Sequence, residues 1–439
     1  MLRSRLRIVV HDFPAHAFPL ELSSELAARG HFVLHLYCPD FPSPHGKVSD
    51  SEDGTMLENN GQGKLMIEKI PLPAGYRKEA SLSRLWAEIR YGKALAARVK
   101  AFQPDTILAG NSPLGPQSAL YRAAKSCQAG FIFWVQDFYS LAIAQFFQRK
   151  LGWLGAIPSA YFKYIEQSLW RKSDELIVIS EDFVPIIQQA GVEKSRIKTI
   201  ENWAPLSEIP ALPRDRAWAK QHHISAKHIL LYSGTLGLKH NPSLLVDMAR
   251  RLQQIDDAVL VVVTEGVGRK ILEHEKHHQR LDRLVLMDFQ PIDTFSSMLA
   301  SADVLLVVLE ADAGIYSVPS KILSYACAGR PIVGAVPENN LAARLVRREN
   351  MGVIAPPSDS RLFVTSAFAM LENEDLAHQL GKNARNFAER NFAIKKIADR
   401  FEAILTVHSK SVAKSLDKPS SISRQPAWDK NSKGRKRIL

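Results

Sequence analysis

Two lysines stand where a chain can hold an anion. In "LLYSGTLGLKHN" (230–241), Gly234, Thr235 and Gly237 follow an apolar run and lead to Lys239, and Asn241 with Pro242 open the next helix. Glycines let backbone N–H groups approach a phosphate, a helix N-terminus carries about half a positive charge, and a lysine adds a whole one. In "SVPSKILSYACAGRPIVG" (317–334), Lys321 enters at the mouth of a helix whose start is prepared by Ser317, Pro319 and Ser320. The helix dipole repels a cation at that position, so Lys321 either turns out to solvent or has an anion beside it. Neither stretch is the Walker pattern GxxxxGK[ST] or the dinucleotide fingerprint GxGxxG. The chemistry open to such a pair is stabilisation of charge growing on a leaving diphosphate, without a metal. Acidic pairs that could hold a metal are weak: Glu310 with Asp312 precedes a loop, and Asp256 with Asp257 reads as solvated. No metal site and no cofactor are expected.

A second set of groups lies in the first half. Asp137 ends a very apolar run, "FIFWV", so its carboxylate either reaches a cleft or is buried at a cost. There it would orient a hydroxyl or handle its proton; otherwise it caps the following helix. His11, Asp12 and His16 follow the first apolar run and would line the acceptor side of the same cleft, although a single histidine is often structural. Asn202 and Trp203 close the half and suit packing at least as well as ligand contact; Ser180 and Glu181 are weaker candidates.

These residues are positioned by two series of short apolar runs alternating with helical patterns. The first holds "LRIVV" (6–10), "FVLHLYC" (32–38), "TILAG" (106–110), "GFIFWVQD" (130–137), "ELIVIS" (175–180) and "IKTIEN" (197–202), with Gly30 stopping the first helix. After a proline-rich stretch the series restarts with "HILLYSG" (228–234) and continues through "AVLVVVTEG", "LVLMDF", "VLLVVL", "PIVGAV" and "MGVIAPP" (351–357). Strands separated by helices mean α/β domains with parallel sheets covered on both faces. Ligands of such sheets bind beyond the C-terminal strand ends, so two of them facing each other make a cleft. The expected division is a first domain over 1–203, a second over 216–390, a helix over 391–408 packing back on the first, and a disordered basic tail over 409–439.

Composition agrees with a folded enzyme: 439 residues, 46% apolar and 23% charged, enough for two cores. The formal charge is +12, and residues 409–439 hold nine Lys or Arg against two acids, so the tail carries most of the excess. That suits a solvating end or adhesion to anionic lipid; with one aromatic and no folded motif beside it, the tail gives no sign of nucleic acid as a partner. Cys38, Cys127 and Cys327 are far apart and read as reduced core residues. The N-terminus lacks the long apolar run of a signal peptide, and no run spans a bilayer. The expectation is a cytoplasmic protein, with peripheral attachment to the cytoplasmic face of the inner membrane left open. Two segments, 81–102 and 142–172, mix aromatics with Arg and Lys and suit a membrane interface as well as a core-facing helix.

The chain resembles glycosyltransferase family 4, retaining enzymes of the GT-B fold that use nucleotide sugars, from about residue 5 to 405. "LLYSGTLGLKHN" looks like that family's glycine loop with its diphosphate lysine; "TEGVG" (264–268) is similar to its turn beside the nucleotide base, and "VPSKILSYACAGRPIVG" to its donor helix. "GFIFWVQDFYSLAI" (130–143) resembles a subgroup acting on lipid-linked sugars in surface polysaccharide synthesis. The resemblance implies a transferase moving a sugar, UDP-linked above all, to a lipid-linked or saccharide acceptor with retention. It implies donor contacts from Gly234, Thr235, Gly237, Lys239, Glu265, Gly266 and Tyr316 through Lys321 (Ser317, Val318, Pro319, Ser320), with Asp137, Lys239 and Lys321 as catalytic groups. The family's two donor glutamates are replaced by Tyr316 and Ser324, its loop arginine by Thr235, and its double glycine after the first strand by "HDFPAH". Those departures leave two alternatives in place: an inactive sugar-binding partner subunit, or a nucleotide-sugar epimerase of the same fold.

Overall fold

The structure is a computed structural model describing residues 5–40, 56–58, 63–73, 81–214, 216–237, 240–311 and 319–409. Its first sheet holds β1 (Arg7–Asp12), β2 (Phe32–Tyr37), β3 (Met56–Glu58), β4 (Lys64–Lys69), β5 (Thr106–Gly110), β6 (Gly130–Val135), β7 (Glu175–Val178) and β8 (Ile197–Thr199), in the order β3-β4-β2-β1-β5-β6-β7-β8. All pairs are parallel except β3 with β4. Connecting them are α1 (Ala17–Ala28), α2 (Ser81–Phe102), α3 (Leu114–Cys127), α4 (Tyr139–Leu151), α5 (Ala156–Lys172) and α6 (Phe183–Gln189). A single 3₁₀ turn, Gly152–Gly155, joins α4 to α5.

After α7 (Ala217–Gln221) the second sheet is built from β9 (His228–Ser233), β10 (Ala258–Val263), β11 (Leu284–Met287), β12 (Val304–Val308), β13 (Ile332–Ala335) and β14 (Gly352–Ala355), ordered β11-β10-β9-β12-β13-β14 and wholly parallel. Its helices are α8 (Ser243–Leu252), α9 (Val267–Gln279), α10 (Ile292–Ala300), α11 (Lys321–Ala328), α12 (Leu341–Arg348), α13 (Ser360–Glu372) and α14 (Glu374–Asn391), and α15 (Ile394–Val407) ends the described chain.

The architecture follows from the runs. β6, β10 and β12 are buried at every position, as strands covered on both faces must be. Helix starts are set locally: the side chains of Asn340, Asp359 and Asn373 accept from backbone N–H groups at 2.9, 2.8 and 3.0 Å to cap α12, α13 and α14. β3 and β4 were absent from the strands expected from sequence. β4 alternates buried and half-exposed residues and begins and ends on lysine, so it lacks the continuous apolar signature of its neighbours.

Among its parallel strands each sheet reverses its order once, between β1 and β5 in the first and between β9 and β12 in the second. Those switch points open a crevice beyond the strand ends. Asp12 ends β1, and Ser233 ends β9 at the glycine loop.

α15 packs on α1 and β5 of the first domain. Phe401, fully buried, meets Trp134 edge-on at 4.9 Å and Trp203 at 5.9 Å. Arg29 reaches Asp399 and Glu402, each at 2.7 Å. At the cleft, Arg344 of α12 pairs with Asp182, which precedes α6, so the two domains also touch through an ion pair. The three cysteines are free and buried. The expected tail lies outside the described residues beyond Ser409, and none of the described helices is long and apolar enough to cross a membrane.

Candidate active site

On the second domain the site is built from the end of β9 and the start of α11. Gly234 takes φ +133°, a conformation that favours glycine, and its carbonyl accepts from Thr264 Oγ1 at 2.7 Å. The loop then runs through exposed Thr235 to buried Leu236, whose N–H donates to the Glu265 carbonyl (3.1 Å) and whose carbonyl accepts from Gly268 (2.9 Å). The glycine loop and the turn at Glu265–Gly266 are therefore sewn together. Gly266 has φ +102°, and a Cβ there would lie 3.2 Å from the Leu236 carbonyl oxygen. Gly237 N–H donates to His240 Nδ1 at 3.2 Å.

Lys321 is the first residue of α11, and its Nζ does not turn out to solvent. It turns inward: Nζ lies 3.7 Å from the centre of the Tyr232 ring and 3.1 Å from where a Gly234 Cβ would stand. Nζ is shielded from solvent and has no hydrogen-bond partner among the described residues. Burial pushes its pKa well below the ordinary lysine range. Gly234 is what leaves room for it. Tyr325, one turn further along α11, donates to the Ser233 carbonyl (3.2 Å) and accepts from the Ser233 N–H (2.9 Å), clamping the helix to the strand end. Pro319 is buried and Ser320 exposed, and Ser320 occupies the cap position of α11 without a side-chain capping bond. Lys239, Tyr316, Ser317 and Val318 lie outside the described residues.

On the first domain, Asp12 and His16 form a pair. His16 Nδ1 lies 3.1 Å from Asp12 Oδ2, and the His16 backbone N–H donates to the same oxygen. Burial works against both charges, but the charge of His16 and its hydrogen bonds hold the Asp12 carboxyl below its usual range, while Asp12 and, more weakly, Asp137 raise His16 above its own. The side-chain amide of Asn111, after β5, is 3.2 Å from the same ring nitrogen. Asn111 and Ala15 both take positive φ, +43° and +58°, so the turn replacing a double glycine is made by an alanine in a left-handed conformation. His11 is placed elsewhere: it points into the core, Nε2 meets the Tyr91 hydroxyl at 3.0 Å, and burial pushes its pKa down to about 3.

Asp137 follows β6, within electrostatic reach of His16. The helix it introduces is capped from another element. Buried Glu166 of α5 accepts from Tyr139 N–H (2.8 Å), Ser140 N–H (3.3 Å) and Ser140 Oγ (2.5 Å). Burial raises the Glu166 carboxyl to about 7 against the effect of those bonds, with a further push from Asp137. The two halves meet at a cavity of about 20 Å³ lined by Ile179, Glu201 and Asn202 on one side and by Pro319, Ile322 and Leu345 among others on the second. A larger cavity of about 210 Å³, lined by Arg214, Asp303 and Arg330, opens where the second sheet's strands begin, away from this cleft.

Sequence reading missed Tyr232, Tyr325, Asn111 and Glu166. Tyr325 was within reach, since residues four apart share a helix face and it lies four after Lys321. Glu166 was not, because its partners are 26 and 27 residues away.

Two parallel Rossmann-like domains facing each other across such a cleft define the GT-B glycosyltransferase class. Residues 15–203 match the family model of the glycosyl transferase 4-like domain and residues 214–387 that of glycosyl transferases group 1, so the chain belongs to the glycosyltransferases of family 4 type. It is 22% identical over 393 residues to WcaI of Escherichia coli (strain K12), provisionally named a colanic acid biosynthesis glycosyl transferase, covering 87% of this chain and 93% of that one. Among solved structures, Anabaena HepE in complex with UDP and glucose superposes with a TM-score of 0.67 at 14% identity, covering 92% of this chain and all of the other. WaaG, a glycosyltransferase involved in lipopolysaccharide biosynthesis, gives 0.61 at 15% identity over 90% of this chain and 99% of its own.

Proposed function

We propose that the protein transfers a sugar from a UDP-sugar to a lipid-linked saccharide at a membrane face, with retention at the anomeric carbon and without a metal, in the synthesis of a cell-surface polysaccharide. The observation that carries this is Lys321 Nζ, shielded from solvent and without a hydrogen-bond partner among the described residues, at the N-terminus of α11 against Gly234. A lysine Nζ and a helix N-terminus converging on a glycine turn suit an anion, and the β-phosphate of a nucleoside diphosphate fits them. HepE, of the same fold, has been captured with UDP-glucose, which favours that donor. WcaI and WaaG are named for colanic acid and lipopolysaccharide biosynthesis, which favours a surface-glycan acceptor.

In this reading Gly234–Gly237 and Lys239 hold the diphosphate, and the Glu265–Gly266 turn faces the base. As the bond from the anomeric carbon to phosphate oxygen breaks, its electrons pass to the diphosphate and Lys321 stabilises the growing charge. The acceptor oxygen forms the new bond on the same face. Its hydroxyl is oriented on the first domain by Asp137 and the Asp12–His16 pair, which are also the groups able to take its proton.

Calorimetry with UDP, with and without EDTA, followed by kinetics of Lys321→Ala, tests the reading. UDP binding unaffected by EDTA is expected, with turnover falling about a hundredfold, or roughly 3 kcal/mol of barrier. Binding that is lost in EDTA and restored by magnesium, or turnover of Lys321→Ala within about threefold of wild type, overturns it.

A further inference from the structure

Exposed large apolar side chains concentrate in one region of the described molecule. Of the fourteen recorded as exposed among the described residues, nine lie on the first half of α2 or on the α4–α5 hairpin and its 3₁₀ turn. Trp153, at the tip, is 83% exposed, and Ile157 is 77% exposed. Ile157, Tyr161 and Tyr164 are spaced four and three residues apart, so they form one stripe down α5. Trp86 of α2, with Arg90 lying 4.7 Å over its ring, presents a second stripe. The two are neighbours: α3 packs against both α2 and α5, and Arg84 and Glu88 of α2 act electrostatically on Tyr139 at the start of α4.

The charges here are one-sided. Residues 139–165 contain Arg149, Lys150 and Lys163 and no acid. On α2, the acid Glu88 is paired with Arg84 at 2.9 Å, leaving Arg90 and Lys93 exposed. Scattered apolar residues are ordinary on a protein surface, but a cluster of exposed tryptophan, tyrosine and isoleucine on segments whose sequence carries basic residues and no unpaired acid marks an interaction face. Aromatic rings with one apolar and one polar end settle at the headgroup level of a bilayer, and each nearby basic residue adds attraction to anionic lipid.

We infer that the α4–α5 hairpin, with the outward face of α2, docks on an anionic lipid surface, inserting Trp153 and the Ile157–Tyr161–Tyr164 stripe into the interface. The inference rests on the membrane-face reading above and deepens it by naming the surface. It also explains how the hairpin and the site are joined. Glu166, on the docking hairpin, holds the first turn of α4, and Asp137 stands two residues before that helix. Docking therefore seats the hairpin tip in the membrane, and a saccharide on a lipid carrier would reach up to Asp137 at the hairpin's base, about 20 Å away along α4.

The test is co-sedimentation of the full chain with phosphatidylglycerol–phosphatidylcholine vesicles and with phosphatidylcholine alone. The comparison proteins are the combined variant Trp153→Ser, Ile157→Ser, Tyr164→Ser and a chain ending at Ser409. All three substituted residues are exposed, and circular dichroism confirms the fold. Expected are preference for the anionic vesicles and a loss of at least about tenfold in the serine variant, present equally when the tail is removed. Equal binding by the serine variant overturns the inference, as does vesicle binding lost wholly with the tail. A wild-type dimer that the variant dissolves, without vesicle binding, overturns it in favour of a second copy of the chain. UDP calorimetry on the same proteins is read separately: loss of UDP binding in wild type would strike at the donor reading and leave the docking surface standing.

Discussion

Lys321 is held in a state that a ligand would change. With Nζ buried against Tyr232 and unpartnered among the described residues, it favours the neutral amine, and a diphosphate beside it would restore the charge. UDP binding should therefore be accompanied by proton uptake, visible as a dependence of the calorimetric heat on the buffer's ionisation enthalpy, and affinity should fall as pH rises. The sign for stability is opposite. A lysine whose folded pKa lies below its unfolded value binds fewer protons when folded, so stability of the ligand-free protein rises with pH across the interval between the two. Lys321→Met should raise the ligand-free melting temperature at neutral pH, corresponding to about 1 kcal/mol after loss of the ring contact, while abolishing the stabilisation by UDP. A variant that melts lower and still gains stability from UDP would show the lysine to be packing alone. The sequence made Lys321 conspicuous through its place at a helix mouth, yet it pointed only to solvent or an anion. The inward rotamer depends on Tyr232 and Gly234, some ninety residues earlier, and local reasoning does not reach that far.

Among the elements, the glycine loop and the turn at Gly266 divide their tasks. Gly266 sits at φ +102° beside the Leu236 carbonyl, so Gly266→Ala strains the backbone in the ligand-free fold. Among the described residues Gly237 has only Thr235 Cγ2 near its missing Cβ, at 4.0 Å, and it has no positive φ. Gly266→Ala should lower stability by about 1 to 2 kcal/mol. Gly237→Ala should leave the melting temperature alone and weaken UDP binding, because only a ligand would crowd its Cβ. Differential scanning fluorimetry with and without UDP separates the two, and equal destabilisation by both substitutions would contradict the division. The strands bearing these loops were legible as apolar runs, since burial on both faces leaves no place for polar residues. β4 was not, because near the edge of the sheet its alternation with lysine reads as surface. On the other side of the cleft, His11 and Asp12 looked alike in sequence. Adjacent strand residues point to opposite faces, and only Asp12 joins the cleft pair while His11 packs under it.

At the scale of the whole molecule, the chain crosses between domains and returns, and the return is structural. Trp134 stands one residue before the end of β6, Trp203 follows the last strand of the first sheet, and their rings stack with centroids 5.9 Å apart. Phe18 lies edge-on to both, and Phe401 arrives from α15, after the whole second domain, to close the cluster. The first domain is therefore incomplete until residues near 400 are present. Phe401→Ala removes a fully buried ring from this cluster and should cost about 3 to 5 kcal/mol. Its effect should fall on the first domain, since the described residues of the donor site, Tyr232, Gly234, Lys321 and Tyr325, all belong to the second sheet and its helices. Tryptophan fluorescence, to which five of the seven tryptophans contribute from the first domain (Trp86, Trp134, Trp153, Trp170 and Trp203), should show an early transition in urea, while UDP still protects the second domain from proteolysis in the same range. A single transition moving equally by both probes would mean that the Arg344–Asp182 contact and the linker bind the domains into one cooperative unit, with α15 no more than one of its surfaces.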